Sequence, residues 1–172
     1  MKTNIYLIGF MGTGKSTIAR ALCNTYRMEQ AEMDEQIVKE QGKSIADIFA
    51  AEGEEYFREL ETDLLRRIGG REHMVVSCGG GTAMRQCNVE EMKKNGVIVL
   101  LDARPETIYR RVKNDHGRPL LEGNMNVEYI KGLMDARRGK YQAAADFTVM
   151  TDRKSSAQIC QEIMKNIEGF QR

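Results

Sequence analysis

Residues 9–17 read GFMGTGKST, and this stretch decides the class of fold that the sequence predicts. It matches the pattern G-x-x-x-x-G-K-[ST] at every fixed position. It also lies between an apolar run, NIYLIG at 4–9, and a helical pattern from Lys15 to Tyr26. In a loop of this kind, backbone N–H groups surround phosphate oxygens, and the N-terminus of the following helix adds partial positive charge. The stretch therefore predicts a loop that binds the phosphates of a nucleoside triphosphate.

Two side chains of this loop carry specific chemistry. Lys15 is a cation for the β- and γ-phosphates, and the hydroxyl of Ser16 is a ligand for Mg²⁺. A glycine-rich turn with a purely structural role is the alternative, although a chance match in a chain of this length is rare, roughly one in a hundred. The residues expected to bind nucleotide here are Gly12, Thr13, Gly14, Lys15, Ser16 and Thr17.

Outward from the loop, apolar runs alternate with helical periodicity, which is typical of an α/β fold with a parallel sheet covered by helices. Strands are predicted at 4–9, about 30–33, 74–78, 96–102 and 147–150. Helices are predicted over 15–26, over three stretches up to about 69, from Pro105, from the Asn126 cap to about 144, and over 155–168. Residues 116–124, HGRPLLEGN, break all periodicity and predict a mobile loop.

Composition limits the classes of function. The 172 residues suffice for one domain, and a formal charge of +1 with scattered acids and bases argues against a nucleic-acid or membrane-surface binder. The apolar run near the start is too short for a signal sequence or a membrane span. The four cysteines lack metal-type spacing, which favours reduced thiols in a cytoplasmic protein. No exposed apolar stripe stands out, so a monomer is expected.

Two familiar classes of nucleotide protein do not fit. A GTPase would carry D-x-x-G and [NT]-K-x-D, and the sequence has neither, since residues 112–115 read VKND. Large ATPases usually end a strand in an aspartate for Mg²⁺, whereas the strand at 74–78 runs into Gly79, Gly80 and Gly81. Glycine packs nothing in a strand and loses the most backbone entropy on folding. The run therefore indicates that something approaches the backbone closely there.

An acid pair follows the short second strand, in AEMDEQ at 31–36. Glu32 and Asp34 are one residue apart, and the period of two in a strand predicts that both point to one side. We interpret Asp34 as the group that orients and deprotonates an acceptor hydroxyl, and Glu32 as a holder of the Mg²⁺ shell through water. Solvated acids that open a helix are the alternative.

Two helices carry arginines on apolar faces. Arg58 and Glu61 share a face with Leu65 and Ile68, so Glu61 is expected to orient Arg58; an ordinary surface ion pair is the alternative. Arg137 interrupts a stripe that reads Val127, Ile130, Met134, Arg137 and Tyr141. A buried unpaired charge is costly, so Arg137 is expected to meet a carboxylate or phosphate, with Glu61 or Asp34 as the alternative partners. Together the two arginines could clamp a substrate carboxylate.

The loop arginine, Arg118 in HGRPLL, is placed where a lid could carry it onto the transferring phosphoryl group. A surface arginine beside a proline is the alternative. The lid is predicted at about 112–125 and a substrate-binding helical region at about 33–61.

Taken in order, the sequence resembles the shikimate kinase family of P-loop proteins from about residue 3 to 168. The resemblance rests on GFMGTGKST, the acid pair ending in Asp34, GKSIADIFAAEGEEYFRELE, SCGGG, RPLL, and RRGKY with Arg137 four residues before Tyr141. It implies a three-layer fold with a parallel sheet of order 2-3-1-4-5. It also implies transfer of phosphate from ATP, with Mg²⁺, to the 3-hydroxyl of shikimate, a step of aromatic amino-acid biosynthesis. Shikimate would then be the partner.

The resemblance also implies roles for single residues. Asp34 would be the base, Arg58 and Arg137 the carboxylate clamp, and Arg118 the lid arginine that reaches ATP. The glycines at 79–81 would lie under the ring of the substrate. Side chains expected beside adenine are Arg111, with its neighbour Arg110 as the alternative, and Arg153 or Lys154.

One position departs from the family pattern, since many members carry aspartate where this chain has Glu32. The longer side chain keeps the charge and moves the carboxylate oxygens. Two other functions are alternatives: a gluconate-type kinase of small polyols, and a catalytically silent nucleotide-dependent module. The arginine pair and SCGGG argue against the first, and intact Lys15, Asp34 and Arg118 against the second.

Overall fold

The described residues, 4–114 and 126–170 of a computed structural model, form one five-stranded parallel sheet with helices on both faces. The strands are β1 (Asn4–Ile8), β2 (Glu29–Glu32), β3 (Met74–Ser77), β4 (Gly96–Asp102) and β5 (Phe147–Met150). Their order across the sheet is β2-β3-β1-β4-β5, and every neighbouring pair is parallel. This confirms the α/β class and the predicted strand order.

In the described chain, one to three helices lie between each strand and the next along the sequence, and a last helix follows β5. They are α1 (Lys15–Tyr26), α2 (Met33–Gln41), α3 (Ile45–Glu52), α4 (Glu54–Ile68), α5 (Gln86–Asn95), α6 (Pro105–Val112), α7 (Val127–Ala144) and α8 (Ser156–Phe170). A short 3₁₀ turn, Thr82–Met84, precedes α5.

The two faces of the sheet bury separate cores because side chains alternate along each strand. In β1, Ile5 and Leu7 face the side covered by α1 and α8, whereas Tyr6 and Ile8 face the side covered by α4 to α7. Strands that are buried on both faces read as continuous apolar runs, as GVIVLLD does at 96–102. The three layers of the fold follow from this pattern.

Local signals explain several helix ends. The hydroxyl of Ser44 accepts the backbone N–H of Asp47 at 3.1 Å, and Gly53 ends α3 with a φ of 88°. The side chain of Asn126 accepts the N–H of Tyr129 at 2.8 Å at the start of α7, as predicted. These caps supply partners for backbone N–H groups that the helix itself leaves unbonded.

One local prediction was wrong, and one helix was missed. The second strand ends at Glu32, so Asp34 lies in the first turn of α2 rather than on the strand. The helix α5 was not predicted, because QCNVEEMKKN offers only Val89 and Met92 as buried apolar residues. Its third residue, Asn88, is fully buried although it is polar.

The loops that follow β1 and β3 lie side by side at the carboxyl edge of the sheet. These strands are paired, and the N–H of Cys78 donates to the carbonyl of Leu7 at 3.0 Å, just beyond the last residue of β3. Open α/β sheets bind ligands at this edge. The phosphate loop and the glycine run at 79–81 therefore share one site.

Other predictions concern the chain as a whole. The four cysteines are free thiols, in agreement with the sequence. Within the described ranges, no helix has both the length and the apolar character that a membrane crossing requires. The predicted mobile loop at 116–124, and most of the predicted lid, lie outside the described residues.

Candidate active site

The phosphate loop is held open by glycines with positive φ. Gly9, Gly12 and Gly14 have φ values of 144°, 77° and 98°, which side chains rarely tolerate. The hydroxyl of Thr13 donates to the carbonyl of Phe10 at 2.8 Å and closes the turn from inside. Gly14 is the N-cap of α1, so the N–H groups that begin this helix lie at the end of the loop. Such a concave set of donors favours a polyphosphate.

The Lys15 side chain folds back onto this loop. Its ammonium group donates to the carbonyl oxygens of Gly9 at 2.8 Å and Phe10 at 3.0 Å. The charge thus lies beside the ring of N–H donors rather than in solvent. Entry of a phosphate would offer this ammonium a charged acceptor in exchange for two neutral ones.

A cluster of oxygen atoms lies beside the first turn of α1. The hydroxyl of Ser16 donates to Oε2 of Glu32 at 2.8 Å and lies 3.4 Å from the hydroxyl of Ser77, at the end of β3. The amide of Gln30 donates to the other Glu32 oxygen at 2.6 Å. Ser77 thus lies at the end of β3, where large ATPases usually carry an aspartate for Mg²⁺.

These oxygens fit a small hard cation. Mg²⁺ prefers carboxylate, hydroxyl, phosphate and water oxygens, and it usually takes only one or two ligands from the protein. Ser16 and Glu32 supply a hydroxyl and a carboxylate on the nucleotide side of the loop. Within the described ranges, no group of three or more His, Cys, Asp or Glu side chains could hold a metal by itself. An ion here would therefore depend on the phosphates as well.

Asp34 faces the start of the glycine run from the first turn of α2. Its Oδ1 lies 3.0 Å from the point where a Cβ of Gly79 would be, and Oε1 of Glu61 lies 2.7 Å from the same point. Although the strand argument for Asp34 was wrong, the helix brings its carboxylate to the predicted edge. The exposed carboxylate of Asp34 and the buried carboxylate of Glu61 thus lie beside the same glycine.

Arg58 and Glu61 form an ion pair in the first half of α4. Nη1 of Arg58 donates to Oε2 of Glu61 at 2.8 Å, while Nη2 lies 3.1 Å from the carboxylate of Glu54. The Glu61 side chain is 0% exposed, Arg58 18% and Glu54 69%. The alternative of a surface ion pair is therefore wrong for Arg58 and Glu61.

Burial and the neighbouring charges act in opposite directions on the pKa values of this pair. Burial raises the pKa of Glu61 above its ordinary value, against the charge of Arg58 and the hydrogen bonds from Arg58 and Thr82 that lower it. Burial also lowers the pKa of Arg58, but the charges of Glu61 and Glu54 outweigh that effect and the pKa lies above its ordinary value. Arg58 consequently stays a cation in a site that is partly shielded from water.

The glycine run makes room for these side chains. A Cβ at Gly81 would lie 2.4 Å from Nη1 of Arg58, and a Cβ at Gly80 would lie 3.2 Å from Nη1 of Arg137. Neither glycine has a positive φ, so backbone conformation does not require them. The groups of this chain that approach the backbone here are guanidinium groups, and the substrate ring expected over the same glycines stays a prediction.

Arg137 lies on the other side of the glycine run. Its Nη1 donates to the carbonyl of Gly80 at 3.2 Å, and its guanidinium lies 5.8 Å from the centre of the Phe10 ring. The hydroxyl of Tyr141 donates to the same carbonyl. The pairing with Glu61 that the sequence left open goes to Arg58 instead. Two guanidinium groups therefore converge over 79–81, as a carboxylate clamp requires.

A separate cleft of about 480 Å³ opens beside the phosphate loop. Nη1 of Arg111 donates to the carbonyl of Gly12 at 2.9 Å, which joins the cleft to the loop. The side chains that line it are Arg104, Glu106, Thr107, Arg110, Arg111, Asp152 and Arg153. Planar guanidinium groups stack on flat rings, so the cleft suits a nucleotide base.

The sequence left two choices open for the side chains beside adenine, and both stay predictions. Arg153, with a φ of 55°, lines the cleft, whereas the ammonium of Lys154 pairs with Glu162 at 2.6 Å. Both Arg110 and Arg111 line it, and only Arg111 also bonds to the phosphate loop. Arg118 lies outside the described residues.

Sequence reasoning missed three buried polar residues behind the clamp. Thr62, Thr82 and Asn88 are at most 2% exposed, and Thr82 donates to Oε1 of Glu61 at 2.9 Å. Short polar side chains carry no periodic signal of their own. A polar residue at a core position of a helical stripe, such as Thr62 between Glu61 and Leu65, is the signal that could have revealed them.

Comparison with known proteins gives a consistent family. The family model described as shikimate kinase matches residues 11–168 of the chain. A shikimate kinase of Persephonella marina is 43% identical over 164 residues, which is 95% of this chain and 98% of that protein. The chain therefore spans nearly the whole length of this relative.

Solved structures agree with the sequence comparison. The structure of a shikimate kinase from Acinetobacter baumannii in complex with shikimate superposes with a TM-score of 0.90 at 32% identity, and it covers 97% of this chain and 93% of that chain. A gluconokinase from Sinorhizobium meliloti superposes with a TM-score of 0.62 at 17% identity, covering 98% and 93%. At that identity the second likeness concerns the fold alone.

Proposed function

This chain belongs to the shikimate kinase family, and we propose that it transfers the γ-phosphoryl group of ATP to the 3-hydroxyl of shikimate. The observation that carries the proposal is the convergence of Arg58, Arg137 and Asp34 over the glycines at 79–81, next to a phosphate loop. Two cations for a carboxylate and one carboxylate for a hydroxyl match an acid that bears several hydroxyl groups.

The nucleotide would lie along the carboxyl edge of the sheet. Its phosphates would take the N–H groups of the phosphate loop, with Lys15 exchanging the carbonyls of Gly9 and Phe10 for phosphate oxygens. Its base would enter the cleft between Arg111 and Arg153. The hydrogen bond from Arg111 to Gly12 couples the two parts of this site.

Ser16 and Glu32 are the residues that would hold Mg²⁺, together with the phosphates. When bound, the ion neutralises charge that develops on the β- and γ-phosphates. Gln30 binds one oxygen of Glu32 while Ser16 binds the other, which fixes the orientation of this carboxylate. We expect Glu32 to act through water, because its carboxylate is already shared by Gln30 and Ser16.

The acceptor would lie over 79–81, with its carboxylate between Arg58 and Arg137. Asp34 would accept a hydrogen bond from the reacting hydroxyl and take its proton. The hydroxyl oxygen would bond to the γ-phosphorus while the bond from that phosphorus to ADP breaks. The region 33–61 supplies Asp34, Arg58 and Glu61, so most of the acceptor site comes from one stretch. Arg118 is proposed to stabilise the charge of the transferring group.

An assay coupled to ADP release tests the proposal. ATP and Mg²⁺ would be supplied with shikimate, with gluconate, or with no acceptor. We expect turnover with shikimate and only background in the other two reactions. Turnover with gluconate alone would support the polyol kinase instead, and no acceptor-dependent turnover would support a silent nucleotide-binding module. Either result would overturn the proposal.

A further inference from the structure

A chain of hydrogen bonds runs behind the Arg58 guanidinium group. Nη1 of Arg58 donates to Oε2 of Glu61 at 2.8 Å, and Oε1 of Glu61 accepts the hydroxyl of Thr82 at 2.9 Å. The carbonyl of Thr82 accepts the side-chain amide of Asn88, also at 2.9 Å. Three elements of the fold are joined in this way: α4, the 3₁₀ turn and α5.

Thr62 closes this chain into a circuit. Its hydroxyl lies 2.7 Å from Oδ1 of Asn88 and 3.1 Å from the backbone carbonyl of Arg58, and it shares its proton between the two acceptors. The circuit therefore begins at the guanidinium group of Arg58 and returns to the backbone of the same residue. We refer to Arg58, Glu61, Thr82, Asn88 and Thr62 as the clamp circuit.

Burial distinguishes the members of the clamp circuit. Glu61, Thr82 and Asn88 are 0% exposed, whereas the side chain of Arg58 keeps 18% of its surface open. Burying three polar side chains is costly unless each finds its partners, and here each one does. A core that only had to hold the helices together would be at least as stable with apolar residues. The cost of burying these polar groups is explained if they orient Arg58, the member of the circuit that reaches the site.

The circuit fixes the Arg58 fork in two ways. Both carboxylate oxygens of Glu61 have a donor, so the carboxylate cannot rotate without losing a bond to Arg58 or to Thr82. Asn88 then binds the backbone carbonyl of Thr82, and Thr62 binds Asn88, so the backbone of Thr82 is linked to the helix that carries Arg58. Bidentate recognition of a carboxylate depends on such a fixed orientation.

We propose that Thr82, Asn88 and Thr62 are positioning residues that hold the Arg58 guanidinium group in the orientation that binds the carboxylate of the acceptor. They act through Glu61 and do not touch the acceptor themselves. This inference rests on the proposed function, because it concerns the acceptor site of the same reaction.

The main test replaces Thr82 with valine, which keeps the shape and removes the hydroxyl. Steady-state kinetics and direct titration of shikimate would be compared with the unaltered enzyme. We expect the KM for shikimate to rise about tenfold, because a hydrogen bond to a charged group is lost. The KM for ATP should stay within about twofold and kcat within about threefold, since neither the phosphate loop nor Asp34 belongs to the circuit.

Two further variants of the circuit complete this test. Thr82→Ser restores the hydroxyl and should return the KM for shikimate to within about threefold of the original. Thr62→Val is milder because Asn88 keeps its bond to the Thr82 carbonyl, and it should raise that KM about threefold. It also provides a measurement if Thr82→Val does not fold.

Asn95 offers a matched control on the same helix. Like Asn88 it accepts a hydrogen bond from a side-chain hydroxyl and donates one to a backbone carbonyl. The donor is the hydroxyl of Tyr6 at 3.0 Å, and the acceptor is the carbonyl of Gly69 at 2.7 Å. It lies at the far end of α5 from the clamp circuit. Asn95→Leu should lower the thermal midpoint as Asn88→Leu does, while only Asn88→Leu raises the KM for shikimate.

The same substitution in an Arg58→Lys enzyme shows whether Thr82 acts on shikimate binding by way of Arg58. In Arg58→Lys the guanidinium fork is gone, so adding Thr82→Val should change the KM for shikimate by less than about twofold. A full tenfold effect in that background would overturn the inference, as would equal effects of Asn88→Leu and Asn95→Leu. An unaltered enzyme without shikimate turnover would overturn the proposed function itself, whereas an active enzyme that is insensitive to Thr82→Val would overturn only this inference.

Discussion

Gly14 and Gly81 follow the neighbouring strands β1 and β3 at the same edge of the sheet, each within a glycine-rich segment. At Gly14 the φ is 98°, and nothing lies within 4 Å of the position that a Cβ would take. At Gly81 the φ is −98°, but a Cβ would lie 2.4 Å from the guanidinium group of Arg58. The first glycine is required by backbone conformation and the second by space.

This difference separates the two halves of the site. In the phosphate loop, glycine lets the backbone itself bind, so the contacts come from N–H groups that any sequence would offer in that conformation. In the segment 79–81, glycine lets the side chains of other elements approach, so the contacts come from Arg58, Arg137 and Asp34. Substitutions in the first segment should therefore act on the backbone and the nucleotide, and those in the second on the acceptor.

The largest effect is expected from Asp34→Asn, on the acceptor side. The amide keeps the size of the side chain but cannot take up the proton of the reacting hydroxyl, so kcat should fall about 10³-fold while ADP affinity stays the same. Glu35→Gln, the next residue in the same first turn of α2, is the control and should be nearly neutral. A variant Asp34→Asn that retains more than about a tenth of kcat would remove Asp34 from the role of base.

Gly81→Ala tests the space requirement itself. Its methyl group must displace the Arg58 guanidinium group from Glu61, and the KM for shikimate should rise about 30-fold with little change in the KM for ATP. Gly80→Ala meets Arg137 at 3.2 Å and should have a smaller effect in the same direction, about threefold. Gly139→Ala on the exposed face of α7 adds a methyl group in open space and should be neutral or slightly stabilising. Equal losses for ATP and shikimate would mean that the two halves are not separate.

Gly14→Ala tests the conformational requirement. Forcing a residue with a Cβ into the left-handed region should lower the free energy of unfolding by about 1–2 kcal/mol in urea titrations without nucleotide. Gly14→Asn should lose about half as much, because asparagine tolerates this region better. If alanine and asparagine were equally harmful, contacts rather than backbone conformation would explain the glycine.

The smallest effect is expected from Glu54→Gln. Glu54 is exposed and holds the outer edge of the Arg58 fork at 3.1 Å, where the carboxylate of the acceptor would bind. Since exposed ion pairs contribute little, removing this competitor should lower the KM for shikimate by about twofold. Arg66 and Asp63 form a comparable exposed pair on α4, and Asp63→Asn is the matched control. A rise in KM after Glu54→Gln would show that Glu54 aids the clamp rather than competing with it.

Contiguous features were predictable from the sequence. The phosphate loop is a local pattern, so the position of Lys15 and Ser16 at the start of α1 follows from nine residues. The strand order agrees with the one that the family resemblance implied. The pairing of Arg58 with Glu61 was also correct, because both lie on one face of one helix.

Features that depend on contacts between distant elements were not predictable. The position of Gly81 was clear, but the sequence could not show that Arg58 of another element fills the space beside it. Asn88 lies on a helix that the weak apolar pattern did not reveal, 26 residues from its partner Thr62. Buried polar networks carry no periodicity, and only the packed structure identifies their members.

The hydrogen bonds of Lys15 have a consequence for selectivity toward common ions. Its ammonium group already donates to Gly9 and Phe10, just as Arg58 already contacts Glu61 and Glu54. A chloride or a single inorganic phosphate must displace these internal acceptors while offering few new contacts, so its net gain is small. A nucleotide or an acceptor with matched geometry replaces several of them at once. Chloride and inorganic phosphate should therefore bind weakly to the site between turnovers.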